Sequence, residues 1–184
     1  MTSAASSKFS TTGAGTITLN KKNVSTFTAG SYLGISDISG ATFNNTSEWS
    51  VSGSSLVPAF TETLVGYPDI TGVYIPNWTK VSKDSDLTVT LLGSTSNAND
   101  IFVEFKVNGT TYGTDRYLSK SITPGTNTCT FTSSELKKLA DYNKSELGLT
   151  LRIIGDKYKK VEKNGHAYYI VNETYFTHAI YWAR

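Results

Sequence analysis

Apolar and polar side chains alternate with period two along much of the second half of the chain. Leu87, Val89 and Leu91 alternate with Thr88 and Thr90. Ile101, Val103, Phe105 and Val107 form a second such run, with Glu104 and Lys106 between them. Cys129 and Phe131 alternate with Thr128 and Thr130, and Leu147, Leu149, Leu151 and Ile153 form a fourth run. Successive side chains of a strand point to opposite faces, so each run predicts a half-buried β-strand. Asn108-Gly109 and Asn164-Gly165 supply the positive backbone angles of tight type I′ hairpin turns, the second between strands over 157–161 and 168–171. A last strand is predicted over about 174–182. Before residue 61 the segments are shorter, at 16–19, 24–28, 31–35, 48–52 and 56–60, with Gly, Asn and Ser clusters between them. In Trp49-Ser50-Val51 the two apolar residues share parity, which predicts one buried face and makes Trp49 a core residue; Trp182 shares parity with Phe176 and Ile180 and is read the same way.

One helix is predicted. Thr132-Ser133-Ser134-Glu135 fits a capping box, Leu136 and Leu139 lie three apart on one face, and Asn143 is the stop. A helix this short is unstable alone and must dock on a sheet. Many short strands and a single helix predict an all-β, antiparallel β-sandwich with one short helix near residues 133–142. The chain divides into a flexible Ser/Thr-rich head (1–14), an N-terminal β segment (15–66) that packs on or completes the sandwich, and the sandwich proper (67–184).

Composition sharpens this picture. Of 184 residues only 17% are charged, while 22 Ser and 27 Thr make up about a quarter of the chain. Hydroxyls in place of charges suit a β-rich, extracellular protein. No apolar run of about 18 residues exists to span a membrane. The single cysteine, Cys129, excludes a disulfide scaffold and a cysteine zinc site. A net charge of +2 is too weak for nucleic acid, which needs a dense basic face. Eight of the 17 Lys and Arg fall between Lys137 and Lys163, read as a solvated helix and hairpin face ahead of an anion-binding patch.

The order of signals is more specific than its parts. It runs Trp49-Ser-Val-Ser-Gly-Ser, Val57-Pro-Ala-Phe60, Tyr67-Pro-Asp-Ile, then Val81-Ser-Lys-Asp-Ser-Asp-Leu-Thr-Val-Thr and Asn99-Asp-Ile-Phe-Val-Glu-Phe. It ends with Thr130-Phe-Thr-Ser-Ser-Glu-Leu-Lys-Lys-Leu and Gly165-His-Ala-Tyr-Tyr-Ile-Val-Asn-Glu-Thr. This resembles the uncharacterised secreted or envelope lipoproteins of Bacteroidetes-type bacteria, which carry immunoglobulin-like sandwich domains. The likeness spans roughly residues 43–178, and its motifs are structural. It implies an immunoglobulin-like β-sandwich in an extracellular or cell-envelope location, and it brings no activity and no functional residues. The lipid-bearing N-terminal Cys of such lipoproteins is absent here, and the polar start from Met1 to Lys8 has no apolar core of the ~7–15 residues that an export signal needs. The start reads either as a cytoplasmic one or, the expectation favoured here, as one from which an export signal, with any lipid anchor, has been removed.

Enzyme motifs are missing: there is no Gly-x-Ser-x-Gly elbow, no Gly-x-x-x-x-Gly-Lys loop and no His-Glu-x-x-His. The two histidines, His166 and His178, cannot build a three-histidine metal site; His178 shares parity with Phe176, Ile180 and Trp182 and is read as part of a sheet face, His166 as an exposed turn residue. Cys129 alternates inward and is read as an inert core thiol. Glu48, Glu62, Glu104 and Glu173 could supply a carboxylate pair only if assembled in space. Asp84-Ser85-Asp86 and Asn97-Ala98-Asn99-Asp100 are oxygen-rich loops, but these residues also dominate ordinary turns. No cofactor and no metal are expected.

The aromatics are the best functional lead, since three Trp and 11 Tyr exceed the needs of a core this size. Flat rings with a polar tip stack on sugars or peptides. Trp78 lies in the polar connection Pro76-Asn77-Trp78-Thr79-Lys80 and is open between an exposed platform and a lid over the sandwich edge. Tyr74 lies four residues before it, and Tyr112 and Tyr117 flank a glycine-containing turn. These four are the candidate ligand-binding residues. The sequence therefore predicts a non-catalytic surface protein that binds a glycan or a partner protein. A structural assembly module and a hydrolase with a spatially assembled carboxylate pair are the alternatives.

Overall fold

The computed structural model describes residues 13–24, 26–28, 31–32, 46–107, 116–141 and 148–183. Its strands are β1 (Ile17–Leu19), β2 (Lys22–Asn23), β3 (Thr26–Thr28), β4 (Ser31–Tyr32), β5 (Thr46–Val51), β6 (Phe60–Val65), β7 (Asp69–Tyr74), β8 (Lys80–Val81), β9 (Leu87–Ser94), β10 (Asp100–Val107), β11 (Arg116–Ser121), β12 (Thr128–Phe131), β13 (Leu149–Lys163) and β14 (His166–Trp182). A helix, α1 (Ser133–Asp141), falls between β12 and β13. The protein is all-β in class. The chain forms two compact units, one from residues 1–65 with 159–170 and one from 66–158 with 171–184.

In the first unit the sheet order is β2-β1-β5-β6, all antiparallel. Leu64, Val161 and Ile170 are buried together, with Trp49, Phe60 and Tyr168 packed against them. The β1–β2 hairpin turns on Asn20 and Lys21, whose φ values of 47° and 65° make it a type I′ turn without glycine. Asn20 tolerates this region and is held there, because its Oδ1 accepts from the Glu48 amide at 2.8 Å. Lys21 has no such reason to be left-handed. Lys21→Gly is therefore expected to stabilise the protein by about 1 kcal/mol in urea unfolding.

In the second unit a five-stranded sheet, β11-β10-β13-β14-β8, and a curled three-stranded sheet, β12-β9-β7, enclose one apolar cluster. The predicted alternation is realised: Ile101, Val103, Phe105 and Val107 point in from β10, Val89 and Leu91 from β9, Cys129 and Phe131 from β12, and Leu149, Leu151 and Ile153 from β13. Where separate strands were expected at 147–153 and 157–161, β13 runs unbroken for 15 residues, and β14 likewise for 17. β13 passes through Gly155 where Ile70 and Pro68 pack closely: a Cβ there would lie 2.7 and 2.9 Å from their side chains, which favours glycine. The Asn164-Gly165 hairpin forms as expected, with φ of 53° and 76°. The β10–β11 ladder closes at Val107 opposite Arg116, and the Asn108-Gly109 pair lies outside the described residues, as do residues 1–12 of the head, Leu147 and Asn143.

Helix α1 starts with the predicted capping box. The Thr132 amide donates to Glu135 Oε2 at 2.8 Å, and the Glu135 amide donates to Thr132 Oγ1 at 3.3 Å. Leu136 and Leu139 are buried in the cluster, so the helix docks through the expected face. Lys120 Nζ lies 2.7 Å from Glu135 Oε2. The Lys120 hydrogen bond, followed by the Thr132 amide, lowers the Glu135 carboxyl from its ordinary 4.5 to about 2. A folded value below the unfolded one gives a contribution that is complete above about pH 4.5 and is lost as pH falls toward 2. Solvent screens this partly exposed pair, so the stability effect is small and the titration itself is the readout. NMR should place the Glu135 midpoint near 2, and Lys120→Met should move it back toward 4.5.

Candidate functional site

The outer face of the five-stranded sheet collects the groups with most capacity for recognition. Because Phe105 and its neighbours of like parity point inward, Phe102, Glu104 and Lys106 of β10 point outward. The register sets Lys106 opposite Tyr117 of β11 and Thr150 of β13, Glu104 opposite Ser119 and Arg152, and Phe102 opposite Ser121 and Ile154. On β14 the outward parity is that of Glu173, Tyr175, Thr177 and Tyr181.

The polar groups of this face are tied to its rings. Lys106 Nζ lies 5.9 Å from the centroid of the Tyr117 ring. Arg152 donates from a terminal nitrogen to Glu104 Oε1 at 2.8 Å and from Nε to the Tyr175 hydroxyl at 2.9 Å, with its guanidinium 5.4 Å from the Tyr175 centroid. Burial works against the charge on Arg152, but the Tyr175 hydrogen bond and the Glu104 charge outweigh it and push its pKa up. The guanidinium is thus fixed in place and permanently charged. Tyr117, Tyr175 and Phe102 stay 51%, 49% and 37% exposed, whereas every inward residue of β10 is at most 2% exposed. Beside Tyr117, a groove of about 250 Å³ opens between β11 and α1, with Arg116 and Lys138 at its polar wall.

The residues singled out from sequence are dispersed. Tyr117 stands on β11, one edge of the five-stranded sheet, while Trp78 lies in the connection leading to β8, its other edge. Four strand spacings, roughly 19 Å, separate those edges. Tyr74 belongs to β7 of the other sheet and is exposed. Tyr112 lies outside the described residues. The Trp78 ring meets His178 edge-on, centroids 4.7 Å apart, and its carbonyl lies 2.9 Å from His178 Nε2. Trp78 therefore caps His178 and keeps 39% of its surface in solvent, so it has features of both readings left open by the sequence. Phe102, Arg152 and Tyr175 were not among the sequence candidates. The signal for them was parity: Phe102 shares the outward register of Glu104 and Lys106, and an aromatic there has no core to fill.

Much of the remaining chemistry is committed to the scaffold. Cys129 is buried, and burial pushes its thiol pKa up, with Lys120 opposing. His166 is exposed beyond the hairpin turn. Trp49 and Trp182 are partly buried against the two apolar clusters. Glu62 pairs with Lys159 at 2.7 Å and Glu104 with Arg152. The oxygen-rich loops serve the backbone: Asp86 Oδ1 accepts the Ser133 amide at 2.7 Å and Asn99 Oδ1 the Tyr158 amide at 2.8 Å. Among the described residues no three His, Cys, Asp or Glu come together as metal ligands, and no helix is long and apolar enough to cross a membrane. Comparison of the chain with protein-family models, with characterised proteins and with solved structures gives no match.

Proposed function

We propose that the protein is a non-catalytic, immunoglobulin-like β-sandwich protein of the cell surface or envelope, and that it binds a surface glycan or partner protein through the outer face of its five-stranded sheet. The observation that carries this reading is the set of exposed rings, Tyr117, Phe102 and Tyr175, on one side of a sheet whose other side is closed core. Exposed tyrosines cost a soluble protein solubility, and rings pinned by Lys106 and Arg152 lose little entropy when a ligand stacks on them. The enclosed cluster between two sheets supports the sandwich, and the hydroxyl-rich, charge-poor composition supports the surface location. The engagement of Glu104 and Glu62 with cations supports a binding role over carboxylate-pair hydrolysis.

The test uses whole cell-surface fractions as bait. Tyr117→Ala and Tyr175→Ala should each weaken binding about tenfold; the first should leave the melting temperature unchanged, and the second, which also removes a hydrogen bond of Arg152, should lower it by about a few degrees at most. Tyr74→Ala, on the other sheet, should change nothing. Binding that survives both face substitutions would refute the assignment.

A further inference from the structure

We infer that the ligand of this face is an uncharged oligosaccharide of at least three flat pyranose rings, lying across the strands from Tyr117 to Tyr175. The inference rests on the face being a binding site and adds the chemistry of its occupant.

Length follows from topology. Tyr117 on β11 and Tyr175 on β14 are separated by β10 and β13, three strand spacings or roughly 14 Å, about the length of three linked sugars. Shape follows from the rings. A tyrosine face stacks on a pyranose face from which C–H groups and not hydroxyls project, and a ring whose hydroxyls are all equatorial offers such a face on both sides. Charge decides between neutral and acidic chains. Around the stripe, the cations Lys106 and Arg152 are matched by Glu104 and Glu173, which share the outward face. Farther along, Asp100 stands directly opposite Asp156. Burial, with Asp100 adding to it, pushes the Asp156 pKa up. A polyanion lying along the stripe would find its two cations matched by two carboxylates and would meet this acidic pair; Arg116 and Lys138 belong to the groove beside Tyr117, which Glu135 also lines. A hydroxylated neutral chain would find what it needs: two of the five N–H donors of Arg152 go to Glu104 and Tyr175, its side chain keeps some solvent exposure, and the guanidinium with the Glu104 carboxylate forms a donor–acceptor pair matched to neighbouring hydroxyls.

Calorimetric titration of the full chain with gluco-, xylo- and N-acetylgluco-oligosaccharides of two to six units, and with oligogalacturonate, tests this. The expected result is affinity rising at least tenfold from two units to four in an all-equatorial neutral series, little dependence on salt, and a loss of about tenfold in Tyr117→Ala or Tyr175→Ala. Tyr175→Phe keeps the ring and loses the bond to Arg152, so it should cost less. Binding confined to oligogalacturonate with steep salt dependence, or no binding to any neutral series, overturns the inference. If Tyr117→Ala and Tyr175→Ala still lose binding to cell-surface fractions, the face remains the site and only its occupant is wrong. A neutral series bound equally by wild type and both variants overturns the inference and the face together.

Discussion

Phe105→Ala should destabilise the protein by about 3–5 kcal/mol in urea unfolding. Phe105 is completely buried, its neighbours across the sheet are Leu118 and Leu151, and its ring meets Phe131 edge-on with centroids 4.9 Å apart. Truncation removes the transfer free energy of a benzyl group, leaves a cavity between two sheets and forfeits the ring pair. Against a total stability of about 5–15 kcal/mol, that loss is enough to unfold much of the population under mild denaturant. The internal control is on the same strand: Phe102→Ala, three residues away on the solvent face, should shift stability by only about 0.5 kcal/mol. Equal costs at the two positions would mean that β10 does not have one dry and one wet side.

Gly93→Ala is expected to cost about 2–4 kcal/mol, a large effect for adding one methyl group. Gly93 has φ of 95°, and a Cβ there would lie 1.9 Å from the Asp69 carbonyl oxygen. The pairing slips at this point, with Ile70 opposite Gly93 and Gly72 opposite Leu92, so Thr71 is an extra residue on β7. Such a bulge bends the strand, and it lies in the sheet that curls. Substitution would have to push the two strands apart as well as strain the backbone. Gly125→Ala separates the two contributions. Its φ of 90° is similar, but nothing lies within 4 Å of the added carbon, so it should show the backbone cost alone, about 1 kcal/mol.

These contrasts mark what was legible in the sequence. Alternation identified the buried face of β9, β10, β12 and β13, and the Thr132–Glu135 box marked the start of α1, because those signals are local. A break after residue 19 was expected, but the tight two-residue form of the Asn20-Lys21 turn was not, since its second residue is a lysine, held left-handed by the Asn20 bonds to β5 and not by its own preference. Continuity of β13 was missed because the apolar parity lapses after Ile153 until Val161; the pairing of Gly155 with Ile101 and the close approach of Pro68 are known only in three dimensions. The candidate site shows the same division. Trp78 and Tyr74 stand out by residue type and position in the chain, yet the order β11-β10-β13-β14-β8 puts Tyr117 beyond reach of Trp78 and brings it instead into a stripe with Lys106, Arg152 and Tyr175. Strand order is a non-local property, and no spacing along the chain encodes it.

The central claim is that one sheet face does the binding, and tyrosine labelling tests it without any substitution. Exposed tyrosines would be modified with a small electrophile in the free protein and again with the cell-surface ligand bound, then read by mass spectrometry. Protection of Tyr117 and Tyr175, with Tyr74 still fully labelled, is the result this account predicts. Protection of Tyr74 while Tyr117 and Tyr175 remain reactive would contradict it.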